Sequence, residues 1–230
     1  MSTGIIALLI AILGAALLAL KGRRDHRDAM VSRAGLLDPV RQLFEAPQIA
    51  IGPDGFPALS GHLADGRRIR LALIADSLVP RRLPQLWLDL TILDSGSRRG
   101  YSIGALARPT GAEFYSLVHE LPQVLAPPPG ELPLIVRGRS VPPLMSREAA
   151  AALTAPFADP ELKEAALTPR GLRIVRRVCE GDRGAHVILR QARFATNPGG
   201  LVEAVESALA DAAALERAFA PLAPAARVLA

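Results

Sequence analysis

The hydrophobic pattern begins with an uninterrupted apolar run at residues 4–20, GIIALLIAILGAALLAL, which contains no charged or strongly polar side chain. A helix of about 17–25 apolar residues is long enough to cross a bilayer. A cleaved signal peptide is disfavoured, because MST carries no basic side chain and LLALKGRR lacks the small residues of a cleavage site. A buried core helix would normally show a polar stripe, and this run shows none. The pattern predicts a single transmembrane anchor over residues 1–21.

Basic side chains flank only the C-terminal side of this run. They are Lys21, Arg23, Arg24 and Arg27, and no basic residue precedes the run. Because cytoplasmic flanks of membrane spans are enriched in Lys and Arg, the flanks predict an inner (cytoplasmic) membrane protein whose C-terminal part lies in the cytoplasm. The same side chains could also contact anionic lipid headgroups.

After the anchor, residues 22–45 are predicted to form a basic juxtamembrane stem that ends in a short helix, LLDPVRQLFE. Asp38 is the expected N-cap of this helix, and Pro39 occupies its first helical position. An α+β domain is predicted over residues 46–220, followed by a tail at 221–230. The proline-rich stretch LPQVLAPPPGELP suggests either an internal crossover or a sublobe boundary near residues 122–131.

Alternating apolar and polar positions predict about three β-hairpins in this domain. The first is FPALSGHLADGRRIRLALI, whose second strand directs Ile69, Leu71 and Leu73 to one side and Arg68 and Arg70 to the other. The second joins PQLWLDLTIL to YSIGALA, with Trp87, Leu88 or Leu90, and Ile92 as its buried face. The third joins GLRIVRRVC to AHVILRQARF through EGDRG.

The segment LIVRGR is predicted to form a short strand, and three further segments are predicted to form helices. SREAAAALTA and DPELKEAAL are predicted to be helical, the second opened by an Asp-Pro pair. The last helix, GLVEAVESALADAAALERAFA, carries a regular apolar stripe at Leu201, Val205, Ala208, Ala212, Leu215 and Phe219. We expect this stripe to pack on the domain's own sheet, with a homo-oligomer or partner-binding helix as the alternative. Hairpins interleaved with short helices indicate the α+β class rather than a doubly wound sheet.

The stretch RPTGAEFYSLVHELP, residues 108–122, is the densest group of reactive side chains in the chain. Thr110 and Glu113 have the spacing of a capping box, and Phe114, Leu117, Val118 and Leu121 repeat at helical spacing. This predicts an amphipathic helix with Tyr115, Ser116, His119 and Glu120 on its polar face. A membrane-anchored hydrolase that uses Tyr115, His119 or Glu120 is kept as an alternative function.

The usual catalytic and metal-binding motifs are absent from the sequence. HELPQ has glutamine where the second histidine of H-E-x-x-H would stand, and the four histidines lie far apart in the sequence. No phosphate-binding glycine loop or G-x-S-x-G motif is present. Cys179, the single cysteine, reads as a packing residue at a strand end. We therefore predict no catalytic residue, metal or cofactor.

Basic residues of the predicted strands could share one exposed sheet face. These candidate docking residues for an anionic partner are Arg68, Arg70, Arg173, Arg177 and Arg190. A net charge of +5 without interleaved aromatic residues does not favour nucleic acid. An acidic protein or an anionic lipid surface fits better, and a lipid-surface binding module is a further alternative.

The N-terminal anchor together with RRLPQLWL, RPTGAEFYS and TPRGLRIV…EGDRG…LRQARF resembles uncharacterised single-pass membrane proteins of bacteria, of alphaproteobacterial type. That resemblance implies no activity, ligand or site residue. The sequence as a whole favours a membrane-anchored, non-enzymatic interaction or assembly domain that serves as an accessory to a membrane complex through a protein partner.

Overall fold

A long N-terminal helix precedes an antiparallel sheet and three shorter helices in the computed structural model of the chain. The structure describes residues 2–77, 82–93, 100–127, 130, 132–142, 146–189, 192–195 and 197–219. The helices are α1 (Ser2–Ala34), α2 (Ser146–Thr154), α3 (Arg183–Leu189) and α4 (Pro198–Phe219). Short 3-10 turns lie at Asp38–Leu43, Val118–Glu120 and Ala155–Ala158. The α+β class is confirmed.

The described strands form one nine-stranded sheet in the order β1-β2-β3-β4-β9-β8-β5-β7-β6, and all neighbours are antiparallel. The strands are β1 (Glu45–Ile51), β2 (Pro57–His62), β3 (Arg68–Asp76), β4 (Gln85–Leu93), β5 (Ser102–Ala107), β6 (Gln123–Leu125), β7 (Leu134–Arg139), β8 (Leu162–Thr168) and β9 (Gly171–Glu180). The sheet includes strands on both sides of the predicted sublobe boundary near residues 122–131.

One face of the sheet, which we call the core face, carries the main hydrophobic core beneath α2 and α4. Alternate residues of β4, such as Leu88 and Leu90, point into it with the apolar stripe of α4. All six residues of that stripe are buried, so the predicted helix and its packing on the domain's own sheet are confirmed. Arg176 of β9 adds ion pairs at 2.5 Å to Asp211 of α4 and at 2.7 Å to Asp159.

The first hairpin, the strand LIVRGR and the helix at SREAAAALTA also form as predicted. Ile69, Leu71 and Leu73 are buried, whereas Arg68 and Arg70 are exposed. The predicted helix at 37–45 is a 3-10 helix instead. Leu37 takes its cap position and makes no side-chain capping bond, so Asp38 is not the N-cap.

Two predicted hairpins are wrong: the second because β4 and β5, although consecutive, do not pair, and the third because the segment after β9 is helical. β9 and β8 lie between them, and β8 and β9 form a hairpin of their own through Thr168 and Gly171. The segment DPELKEAAL, predicted to be helical, supplies β8. The segment after β9 folds into α3, where the Asp182 carboxylate accepts a hydrogen bond from the Ala185 N–H at 2.6 Å.

Trp87 also differs from the prediction, because it is buried on the face of β4 opposite to Leu88, Leu90 and Ile92. This opposite side of the sheet, which we call the second face, carries Trp87, Asp89 and Thr91 from β4. It also carries Arg173, Val175 and Arg177 from β9 and Glu164 from β8, because their register partners alternate with the core residues.

α1 is a single helix that continues beyond the apolar run to Ala34. Its apolar side chains between Ile5 and Leu20 are largely exposed, and the helix is long and apolar enough to cross a membrane. Its last turns contact the domain. Arg33 donates to the Asp54 carbonyl at 2.8 Å and to the Ala192 carbonyl at 3.2 Å, and its guanidinium lies 4.9 Å from the Phe56 ring centre.

Candidate functional site on the second face

Residues 108–121 form a folded-back segment over the second face rather than the predicted helix. Only Val118–Glu120 are helical, as a 3-10 turn. Gly111 has φ +79°, a left-handed conformation that is incompatible with the first turn of an α-helix after Thr110. The expected contact between Glu113 and the Thr110 N–H is present at 2.7 Å, but it closes a local loop.

The predicted buried and exposed sides of this segment are correct only in part: Val118 and Leu121 are buried and His119 and Glu120 are exposed, as expected. Phe114, predicted to be buried, is 62% exposed, whereas Tyr115 and Ser116, predicted to be on the polar face, are buried. The Tyr115 ring packs on Trp87, with centroids 6.0 Å apart. A Cβ atom on Gly104 of β5 would lie 2.9 Å from Val118, so glycine permits the segment's close approach to the sheet.

A buried carboxylate, Glu113, holds the segment together. Its oxygens accept hydrogen bonds from the Thr110 hydroxyl at 2.8 Å and the Gly111 N–H at 3.0 Å, and Lys163 of β8 approaches to 2.8 Å. Burial acts to raise the pKa of Glu113, but Lys163 and the Thr110 donors outweigh it and lower the pKa to about 2. Lys163 has its own pKa lowered by burial and also donates to the Arg108 carbonyl at 2.7 Å.

A second ion-pair cluster lies alongside, centred on Arg173 of β9. Its guanidinium bonds both oxygens of Asp89 at 3.0 and 2.9 Å and one oxygen of Glu164 at 2.6 Å. Burial raises the pKa of Glu164, and Arg173 opposes this effect. Burial acts to lower the pKa of Arg173, but its two carboxylate partners outweigh this effect and raise the pKa of the guanidinium.

The residues of the hydrolase alternative do not assemble into a catalytic group. The Tyr115 hydroxyl is buried without a hydrogen-bond partner among the described residues, and burial raises its pKa. His119 lies 3.6 Å from Glu113, at the surface, and Glu120 is exposed. These three residues line neither the cleft beside α1 nor the cleft between β9 and α4.

The predicted docking arginines fall into two groups. Arg173 is 8% exposed and ion-paired, and Arg177 is bonded at 2.6 Å to both oxygens of Glu161, which raises its pKa. Arg68 and Arg70 remain at the surface of β3, while Arg190 lies outside the described residues. Among the described members of the predicted basic face, Arg68 and Arg70 therefore lie at the surface, whereas Arg173 and Arg177 are paired with carboxylates.

Cys179 is half-buried in β9, and burial raises the pKa of its thiol to about 11. A thiol of this kind is a poor nucleophile at neutral pH, because the thiolate is the reactive form. Its position agrees with the packing role predicted at the strand end.

The charged clusters thus act as structural cross-links between β4, β8, β9 and segment 108–121. Sequence reasoning missed Lys163, Glu164 and Asp89, although Lys163 stands out as the only lysine after the anchor flank. Among the described residues, no group of three His, Cys, Asp or Glu side chains is arranged to hold a metal ion. Comparisons with protein-family models, curated proteins and solved structures find no match to this chain.

Proposed function

We propose that the chain is a single-pass protein of the bacterial inner membrane whose cytoplasmic domain is a non-enzymatic interaction or assembly domain. In this role it is an accessory to a membrane complex. The bacterial assignment rests on the resemblance described above, and the orientation rests on Lys21, Arg23, Arg24 and Arg27 after the apolar run.

The observation that carries the proposal is the continuity of α1 from the apolar run into the domain. Between Leu20 and Arg33 the helix advances about 20 Å at 1.5 Å per residue. Arg33 then fixes the helix to the carbonyl groups of Asp54 and Ala192. A domain held this way stays close to the bilayer in one orientation, which suits contact with neighbouring membrane proteins better than a flexible tether would.

The two alternatives receive less support. A hydrolase would need Tyr115, His119 and Glu120 around one cleft, and instead the first is buried and the other two are at the surface. A lipid-surface module would need the basic face to be free, and Arg173 and Arg177 of that face are paired with carboxylates.

Affinity purification from native membranes tests the proposal. The full chain with a C-terminal tag is extracted in mild detergent and its partners are identified by mass spectrometry. The first control keeps residues 1–36 and removes the domain. The second replaces residues 4–20 with a different apolar sequence of equal length and keeps α1 from Lys21 onward.

We expect a reproducible set of membrane-protein partners with the full chain and with the replaced anchor, but not with residues 1–36 alone. A chain that emerges alone and monomeric under several gentle extraction conditions would contradict the interaction role. If the partners bind residues 1–36 equally well, the anchor and not the domain is responsible for the interaction.

A further inference from the structure

A groove of about 320 Å³ lies between the last turns of α1 and the domain. Asp25, Asp28 and Ser32 line it from the helix, and Phe56 and Phe194 line it from the domain. Ligand pockets commonly measure about 300–1,000 Å³, so this groove has room for a few side chains rather than for a folded element.

The walls of the groove are fixed relative to each other. Arg33 bridges them through two backbone carbonyls and the Phe56 ring, and Phe56 packs edge-on against Phe194 at 6.0 Å. Met30 of α1 also packs on Gly55 of the domain, where a Cβ atom would lie 2.5 Å from the Met30 sulfur. A partner therefore meets a preformed surface, which lowers the entropic penalty of binding.

The rim of the groove carries accessible negative charge. Asp25 is partly exposed and pairs with the exposed Lys21 at 3.2 Å, and Asp28 is exposed. Arg23 and Arg27 lie about 160° around the helix from Asp25, whereas Arg24 lies about 40° from Asp28, since successive residues are about 100° apart. Two basic groups also line the groove, but Arg33 is committed to the carbonyl groups and Arg193 already has a contact of its own.

The groove begins close to the end of the apolar run. Asp25 and Asp28 lie about 8 and 12 Å beyond Leu20 along the helix axis. The headgroup layer on each side of a bilayer is about 5–8 Å thick, so Asp25 stands at its outer edge and Asp28 just past it. Neighbouring spans leave the membrane at this level, and their cytoplasmic ends are enriched in Lys and Arg.

We propose that this groove binds the basic juxtamembrane segment of a second membrane-spanning protein. Lys or Arg side chains of that segment pair with Asp25 and Asp28, and their aliphatic stems pack on the partly exposed Phe194. The inference rests on the proposed function and names the surface and the partner chemistry through which it would operate.

Site-specific photo-crosslinking of the full chain in its native membranes tests the proposal. A benzophenone amino acid replaces Ser32 in the groove or, as a control, Arg27 on the opposite side of α1. We expect the probe at 32, and not at 27, to capture a protein peptide that adjoins a membrane span and contains Lys or Arg.

The double substitution Asp25→Asn/Asp28→Asn should lower the capture at position 32 about fivefold, because two exposed ion pairs of about 0.5 kcal/mol each are lost. Glu203→Gln/Glu206→Gln, on the exposed side of α4, makes the same change in charge away from the groove and should leave the capture unchanged. Trp87 fluorescence checks that each variant is folded.

A lipid adduct at position 32 would overturn the proposal and would point to an amine headgroup as the occupant. A captured peptide without basic residues, an unchanged yield in the Asp25/Asp28 variant or the absence of any capture would also overturn it. If partners still co-purify in any of these cases, the groove inference fails and the interaction role stands. If nothing co-purifies with the unaltered chain, both fail.

Discussion

The substitution Glu113→Gln tests whether the charge cluster under segment 108–121 is a structural cross-link. It keeps the size of the side chain but removes the charge that Lys163 approaches to 2.8 Å. Both side chains are almost completely buried, so the Lys163 ammonium would lose its carboxylate partner in a site that excludes water.

The magnitude follows from the pKa of Glu113, which falls from 4.5 to about 2 on folding. At 1.36 kcal/mol for each pKa unit, the ionised carboxylate contributes about 3 kcal/mol to stability at neutral pH. Breaking a buried ion pair by removing one partner usually costs about 3–5 kcal/mol, which agrees. We expect Glu113→Gln to lower the free energy of unfolding by about 3 kcal/mol.

Urea unfolding of the full chain in mild detergent measures this loss through the fluorescence of Trp87. That tryptophan is the only one in the chain, and it packs directly on Tyr115 of the same segment. Glu120→Gln, an exposed change in the same segment, serves as the control and should shift stability by less than about 0.5 kcal/mol. Glu113→Gln/Lys163→Met should recover at least about 1 kcal/mol, because no unpaired charge remains buried. Equal effects of Glu113→Gln and Glu120→Gln would refute the cross-link.

Three further predictions concern acid stability, the core and the cysteine. Because the pKa of Glu113 is lowered on folding, its contribution to stability is present above pH 4.5 and is lost as the pH falls towards about 2. Over this pH window, the urea midpoint of Glu113→Gln should therefore decline less than that of the unaltered chain. Phe219→Ala should cost about 3–5 kcal/mol because Phe219, the last residue of α4, is fully buried, whereas Val187→Ala, at an exposed site, should cost less than about 0.5 kcal/mol. Similar urea midpoints for the two variants would contradict the packing. With a thiol pKa of about 11, Cys179 should react with iodoacetamide at pH 8 about a hundredfold more slowly than in the urea-unfolded chain, and equal rates would contradict its burial.

Features encoded by local pattern could be predicted from the sequence. The apolar stripe of α4 repeats at helical spacing over its whole length, and the hairpin of β2 and β3 alternates regularly around Asp65 and Gly66. In both, one side of the element is buried and the other is more exposed, so the period is visible in the residue types.

β8 could not be predicted this way because both of its faces are covered. Residues Leu162–Leu167 are all buried between β9 and β5, so the strand shows no alternation, and its Ala, Glu and Lys residues favour helix. The charged pair Lys163 and Glu164 is tolerated there only because Glu113 and Arg173 come from elsewhere in the chain.

The helix predicted over residues 108–122 does not form, for a related reason. Thr110 and Glu113 have the spacing of a capping box whether or not a helix follows, and Gly111 in a left-handed conformation decides against the helix. The pairing of β4 with β9 is likewise long-range and leaves no signal in the loop that joins β4 to β5. EGDRG likewise predicts a hairpin turn, whereas its Asp182 caps α3 by accepting a hydrogen bond from the Ala185 N–H.

The location of the domain is the central claim, and cysteine labelling in intact cells tests it most directly. Single cysteines are introduced as Ser2→Cys or Glu206→Cys in a Cys179→Ser background, and a membrane-impermeant maleimide is applied before and after permeabilisation. The account predicts labelling at position 2 in intact cells, labelling at position 206 only after permeabilisation, and a mature protein that retains residues 4–20. Cleavage of the N-terminal segment, or labelling at position 206 from outside, would contradict a cytoplasmic domain held at the membrane by α1.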